Sequence, residues 1–318
     1  MSLYLAVVEI TNNCNLRCKH CYSFFNENKT ININDFQNIC QQLNLLGVKI
    51  ITIGGGEPML LGTKIKNYIK IAKRNFKITR LTTNGTLIND KNVKCLKDID
   101  FIQVSLDGTQ KIHNYIRGSG TFEKAINGIK LLKYYRIPCS IMMTVSDYNL
   151  SLLKEVYKIS QTLNVPFGFE RITNMGRGKN FLSLSKTNTK NLIKRARELK
   201  IESTDPLYII NDKPRRDYLL KNKIIGGCAA GNMAIVIDAD MNLLPCVRLR
   251  IPLGNIKTMK IAEILEKSKM VKRLKNRNLL KGKCGKCSYK FICGGCRANA
   301  YASSNDYLGE DPGCFIDR

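Results

Sequence analysis

The sequence has no uncharged apolar run approaching the ~18 residues that a membrane span requires. Its opening stretch, Met1 to Glu9, lacks a basic start and is interrupted by an acid, so it does not read as a signal peptide. Those two absences place the chain in the cytoplasm. Acidic residues are scarce, 25 against 52 lysines and arginines, leaving a formal net charge of +27. Such a balance draws in nucleic acid, anionic membrane or acidic peptide. Here the basic residues are spread along the chain, with no arginine-rich block and no basic stripe interleaved with aromatics. Nucleic acid is therefore disfavoured, and no membrane partner is expected. Histidine is limited to His20 and His113; both read as structural or solvated, and neither is assigned a role.

Cysteine is what the chain has in abundance. Thirteen cysteines without a secretory signal argue for metal or redox chemistry rather than disulfides. Cys40, Cys95 and Cys139 sit singly inside periodic segments and read as buried small hydrophobes. The other ten fall in tight clusters or in the C-terminal third. With 44% hydrophobic and 24% charged residues, the 318-residue chain has room for one large domain, or a large and a small one.

Up to about residue 200, short β-branched runs (4–10, 50–53, 79–82, 101–105, 139–144 and 167–172) alternate with stretches of helical periodicity. The helical stretches are 34–46, 63–74, 121–134 and 150–163, followed by a charged one at 186–200. Asn34 and Thr121 are the expected N-caps, and Gly47 follows the end of one helix. This alternation predicts an α/β fold of βαβ units around a parallel sheet. Periodicity alone does not separate a partial barrel from an open doubly wound sheet. Residues 201–225, with Pro206 and Pro214, read as a connection, which divides the chain into 1–205 and 206–318.

Directly after the first strand run comes Cys14-Asn-Leu-Arg-Cys18-Lys-His-Cys21-Tyr22. Three cysteines at C-x3-C-x2-C fit one loop, and three thiolates leave one iron of a [4Fe–4S] cluster open for another ligand. A zinc knuckle is the alternative, but the next C-x2-C pair is far away. After the second run stands Gly54-Gly55-Gly56-Glu57-Pro58, where glycines let backbone groups approach a ligand and Glu57 adds an acceptor. The fourth run ends at Ser105, and Arg117 follows twelve residues later. Together these motifs resemble the radical S-adenosylmethionine (SAM) superfamily. The resemblance implies a partial (β/α)6 TIM-like barrel. It also implies a cluster held by Cys14, Cys18 and Cys21 whose open iron chelates SAM. Gly55, Gly56 and Glu57 would hold the SAM amino group, Ser105 its ribose, Arg117 its carboxylate, and Tyr22 would lie near the adenine. Met175-Gly176-Arg177-Gly178 resembles a further segment near that site, with a plain flexible turn as the alternative. No catalytic acid or base is assigned.

Seven cysteines remain: Cys228, Cys246, Cys284, Cys287, Cys293, Cys296 and Cys314. The first two frame a small hairpin turning near Asp240, and the other five form C-x2-C-x5-C-x2-C followed by Asp311-Pro312-Gly313-Cys314. A four-cysteine zinc ribbon would also permit the C-x2-C pairs. Downstream of the barrel this pattern resembles the SPASM domain, a small C-terminal iron–sulfur domain carrying one or two auxiliary clusters. The resemblance gives Cys228, Cys246 and Cys296 to one cluster and Cys284, Cys287, Cys293 and Cys314 to the other. Seven thiolates fall one short of filling two four-iron clusters. The sequence departs from the usual pattern at Met241, where glycine is common, and in the short Cys293–Cys296 spacing.

The resemblance implies reductive cleavage of SAM to a 5′-deoxyadenosyl radical that takes hydrogen from substrate in an anaerobic setting, with a flavodoxin- or ferredoxin-type electron donor. The tail around Cys296 and Cys314 is similar to maturases of ribosomally made peptides, which form thioether or carbon–carbon crosslinks, and to enzymes that remodel tetrapyrrole side chains. Peptide or protein modification is the expected function, with a separate leader-binding protein as partner or none. Tetrapyrrole modification is the alternative. Anaerobic sulfatase maturation comes third, because the Asp that follows the second hairpin cysteine in that group is Val247 here.

Overall fold

The computed structural model describes residues 3–23, 28–222 and 226–316. Its frame is six parallel strands: β1 (Leu5–Thr11), β2 (Ile50–Gly55), β3 (Ile78–Thr83), β4 (Phe101–Ser105), β5 (Cys139–Val145) and β6 (Phe167–Arg171). They lie side by side in chain order, and every neighbouring pair is parallel. Helices α1 (Ile33–Leu45), α2 (Ile65–Asn75), α3 (Gln110–Arg117), α4 (Thr121–Tyr134), α5 (Leu153–Leu163) and α6 (Lys186–Glu198) fall between or after the strands. Strands covered by helices read as near-continuous apolar runs. Accordingly Ala6, Val8, Ile10, Ile51, Ile53, Leu81, Val104 and Ile141 are fully buried, in one core with Phe36, Leu43, Ile65 and Ile69.

Several boundaries differ from the sequence expectation for local reasons. The cap of α1 is Asn32, not Asn34: Asn32 is extended and its Oδ1 accepts from Asp35 N at 2.9 Å. Gly120, at φ 68°, caps α4; Thr121 is its first residue, and its hydroxyl donates to Gly118 O at 2.6 Å. Helix α3 was not expected, because its two turns give too short a periodicity to stand out. Only a 3-10 turn, Val93–Leu96, joins β3 to β4. Residues 201–222 are no plain linker. Two short helices, Pro206–Ile210 and Lys213–Lys221, are each capped by an aspartate, Asp205 or Asp212, with a proline at the first or second position. The rest of that stretch, 223–225, lies outside the described residues.

The predicted hairpin is present as β7 (Ala234–Ile237) and β8 (Asn242–Leu244), with a short β9 (Gly254–Asn255) beside it. Met241 sits at φ 66°, the left-handed backbone region that glycine reaches without steric cost, and its side chain is buried in the core. β7 pairs in parallel with β1, from Leu5↔Ala234 to Val8↔Ile237, so the C-terminal hairpin continues the barrel sheet. Two buried ion-pair systems tie the C-terminal part to the barrel, one at this joint and one at the opposite edge of the six strands. Glu9 in β1 takes both Nη atoms of Arg250, each at 3.0 Å. At the far strand, Arg171 binds Asp205 through Nε at 2.6 Å and Asp311 through both Nη atoms at 3.1 and 2.7 Å. All three members of the second system are buried. Arg171→Met would leave two buried carboxylates without a counter-charge, so it should lower the unfolding free energy by about 3–5 kcal/mol. A urea titration measures this, and a loss below about 1 kcal/mol would contradict it.

Candidate active site

The loop carrying Cys14, Cys18 and Cys21 leaves the C-terminal end of β1, the face on which barrels of this kind gather their chemistry. The end of β2 is pressed directly onto it. Gly56 N donates to Thr11 O and Glu57 N to Asn13 O, both at 2.7 Å. A Cβ on Gly55 would lie 2.1 Å from Thr11 O, and one on Gly56 2.0 Å from Asn13 O. These glycines are therefore needed for the approach of protein backbone to the cysteine loop, whatever they also offer a ligand. Glu57 is fully buried and faces the protein's own donors. It accepts from Met59 N at 2.9 Å, Thr83 Oγ1 at 2.7 Å and Asn84 N at 2.7 Å. Its role in the fold is to tie the ends of β2 and β3 together.

The sequence reading missed Asp107, on which this end of the barrel turns. Fully buried, it lies with Oδ2 2.7 Å from His20 Nε2 and accepts from Arg117 Nε at 2.5 Å, while Oδ1 accepts from Thr144 N at 2.9 Å. Burial pushes its carboxyl up, but Arg117 and His20 outweigh that and hold it well below the usual carboxylate range. Its backbone N donates to His113 Nδ1 at 3.1 Å, so Asp107 contacts both histidines of the chain. The one available signal was an aspartate between a strand end and a glycine. Asp107 fixes Arg117 so that Nη1 lies 3.9 Å from Cys18 Sγ. Ser105, half-buried, ends β4 beside Met142 of β5.

Tyr22 is half-buried immediately after Cys21. Gly176 and Gly178 pack against this stretch: a Cβ on Gly176 would fall 2.5 Å from Tyr22 C, and Gly178 N donates to Cys21 O at 3.0 Å. The segment 175–178 is thus a wall of the cysteine loop rather than a free turn.

The C-terminal thiols gather into two groups of three and four. Cys246 and Cys296 pack in one apolar cluster, and both thiols are pushed up, first by burial and further by the charge of Cys228. Cys284, Cys287, Cys293 and Cys314 line a single recess walled by Leu207, Ile210 and Ile316. The family resemblance assigns these same two sets to the auxiliary clusters. Two buried arginines stand beside them. Arg277 donates to Cys228 O at 2.6 Å and lies within the field of Cys228, Cys293 and Cys284. Arg297 anchors on Gly309 O at 2.6 Å and points Nη2 at Cys284 Sγ at 3.6 Å. Cys40 and Cys139, apart from all of these, are buried thiols, and Cys95 is half-buried.

The residues fit iron–sulfur clusters. All thirteen cysteines are free, and the ligand sulfurs meet donors: Leu16 N to Cys14 at 3.4 Å, Gly295 N to Cys293 at 3.3 Å, and the arginines at Cys18 and Cys284. Hydrogen bonds to sulfur are one of the levers that tune such clusters. Among the described residues no three His, Cys, Asp or Glu side chains are gathered closely enough for a single metal ion.

Two family models match the chain, the radical SAM superfamily over residues 8–159 and an iron–sulfur cluster-binding domain, SPASM, over 228–288. The chain belongs to the radical SAM superfamily and carries a SPASM domain. Its cofactors are SAM and iron–sulfur clusters. It is 28% identical to an AdoMet-dependent heme synthase of Methanosarcina barkeri, over 96% of this chain and 95% of that protein. It is 27% identical to the sporulation killing factor maturation protein SkfB of Bacillus subtilis, over 81% of this chain and 63% of that one. The fold matches that of Streptococcus suis SuiB bound to S-adenosylmethionine, with a TM-score of 0.78 and 18% identity over 99% of this chain and 77% of that one. No helix among the described residues is long and apolar enough to cross a membrane.

Gly56→Ala should displace the cysteine loop and cost the protein the cluster it holds. The visible absorbance of the anaerobically reconstituted protein is expected to fall by about a third if three clusters are bound. An unchanged spectrum would show that the loop tolerates the methyl group.

Proposed function

We propose that this radical SAM protein acts on the carboxylate-bearing side chains of a tetrapyrrole. When bound, SAM and the cluster supply a 5′-deoxyadenosyl radical that takes hydrogen from substrate, and the protein supplies orientation and exclusion of water. In this reading Arg117, held by Asp107, meets the SAM carboxylate, while Ser105 and the backbone at Gly55 and Gly56 hold its ribose and amino group. Tyr22 lies beside the adenine. The observation that carries the substrate class is the match to the heme synthase along nearly the whole of both chains.

Arg248 supports it. Its guanidinium stands by the C-terminal end of β6, donating to Arg171 O at 2.9 Å and lying 3.6 Å from Glu170, while its buried Nε has no partner. A cation so placed, between the barrel rim and Cys246 and Cys296, suits a propionate carboxylate.

A second reading, peptide modification, is favoured by the likeness to the maturation protein SkfB. It would bring a peptide substrate and, as a further partner, a leader-binding protein.

The test incubates reconstituted protein with SAM, reductant and a propionate-bearing iron tetrapyrrole, and follows 5′-deoxyadenosine and the mass of the tetrapyrrole. Arg248→Met should raise KM about ten- to a hundredfold, the worth of a charged hydrogen bond, while substrate-free SAM cleavage persists. No mass change on the tetrapyrrole, with one on a cysteine-containing precursor peptide, would move the assignment to the second reading.

A further inference from the structure

Three segments distant in sequence meet around the cysteine loop, and each is free of acid. Residues 14–23, 110–120 and 175–184 contain no Asp or Glu, yet they carry Arg17, Lys19, Lys111, Arg117, Arg177 and Lys179. The fold brings them together. Lys19 N donates to Ile116 O at 2.9 Å, and Gly178 N to Cys21 O at 3.0 Å. All of these cations except Arg117 are exposed.

At the centre of the patch is a run of rings. Lys19 Nζ sits 3.3 Å over the ring of Tyr115, which is 46% exposed. Tyr115 stacks on Tyr148 at 4.8 Å, Tyr148 meets Phe181 at 5.8 Å, and Phe181 meets the His20 ring at 6.1 Å. Lys111 is one turn before Tyr115 on α3, so the two share a face. The acid beneath the patch, Asp107, is fully buried and taken up by Arg117 and His20, while Glu123 and Asp147 are hydrogen-bonded by Gln110 and Asn188. An aromatic centre with a rim of one charge has the anatomy of a protein interface.

We infer that this patch docks a small acidic protein carrying a low-potential one-electron centre, and that the electron for SAM cleavage enters here. The inference rests on the radical SAM chemistry above, which calls for an electron donor of this kind, and adds the surface at which that donor docks. What selects an electron carrier over a substrate is position: Arg17 and Lys19 lie between the cysteines themselves, so the patch surface is one residue from the ligands. One electron leaves the partner's reduced centre, which is oxidised, and enters the bound cluster, which is reduced; no proton or leaving group moves at the interface. Charge complementarity of this kind acts mainly on association rate and is screened by salt.

The experiment compares wild-type holoenzyme with an Arg17→Glu, Lys19→Glu, Lys179→Glu variant and, off the cysteine loop, a Lys111→Glu variant. Formation of 5′-deoxyadenosine is followed with dithionite, and separately with an acidic flavodoxin recycled by its reductase. With dithionite both variants should match wild type. With flavodoxin the triple variant should lose about ten- to a thousandfold, the range of electrostatic steering, and the single variant should lose less. The wild-type flavodoxin rate should fall with added salt and the triple variant's should not. Should the triple variant fail with both reductants, a selective loss of the flavodoxin rate in Lys111→Glu still supports the site. Flavodoxin rates equal to wild type in both variants, or a change confined to the KM of the modified substrate, would overturn it. No cleavage by wild type even with dithionite would defeat the radical chemistry on which the inference rests.

Discussion

Thiolate charge buried away from water is the constraint around which this molecule is built. A cysteine in an apolar setting resists ionisation, and burial is the leading cause that pushes Cys14 up to about 11 and Cys296 to about 12. Holding clusters therefore requires cations and N–H donors near the sulfurs, and the structure supplies them from inside. Arg117 reaches Cys18 from α3; Arg277 and Arg297 stand among the C-terminal thiols; the charge of Arg248 acts on both Cys246 and Cys296. These arginines are in turn held by carbonyls or by buried acids, Asp107 above all. A cluster adds negative charge to such an environment, and the cations present are arranged to receive it.

The same constraint explains how the two halves of the chain are joined. The last barrel strand ends in Arg171, whose guanidinium binds Asp311, and Asp311 Oδ2 also accepts from Cys296 N at 2.8 Å. One ion-pair network thus fixes a barrel strand and a C-terminal thiol to each other. On the opposite edge, β7 is hydrogen-bonded to β1, and Arg250 crosses to Glu9. An auxiliary cluster in this protein would be held to the barrel frame by a sheet and two buried salt bridges rather than by a linker.

What could be read from sequence is what is local. The cysteine spacings, the glycine run at 54–56 and the alternation of strands and helices each lie within one loop or one element, and each is found where expected. The grouping of the seven late cysteines followed from resemblance to a family, not from spacing. What escaped was long-range. Arg171 and Asp311 are 140 residues apart, Glu9 and Arg250 241. A charged residue in an apolar strand, such as Glu9, is the sole sequence trace of such a pair. Glu57 shows the converse: its motif pointed to a ligand, but its three hydrogen bonds to Met59, Thr83 and Asn84 are a property of the packed fold.

The central proposal, that Cys14, Cys18 and Cys21 hold one cluster apart from the one or two held by the seven C-terminal thiols, is tested most directly by iron and sulfide content after anaerobic reconstitution. The wild type is compared with a variant lacking Cys14, Cys18 and Cys21. The variant is expected to lose about four irons, from about twelve to about eight with two auxiliary clusters or from about eight to about four with one. Little iron with one or two zinc ions, or an iron content that the variant leaves unchanged, would contradict the account.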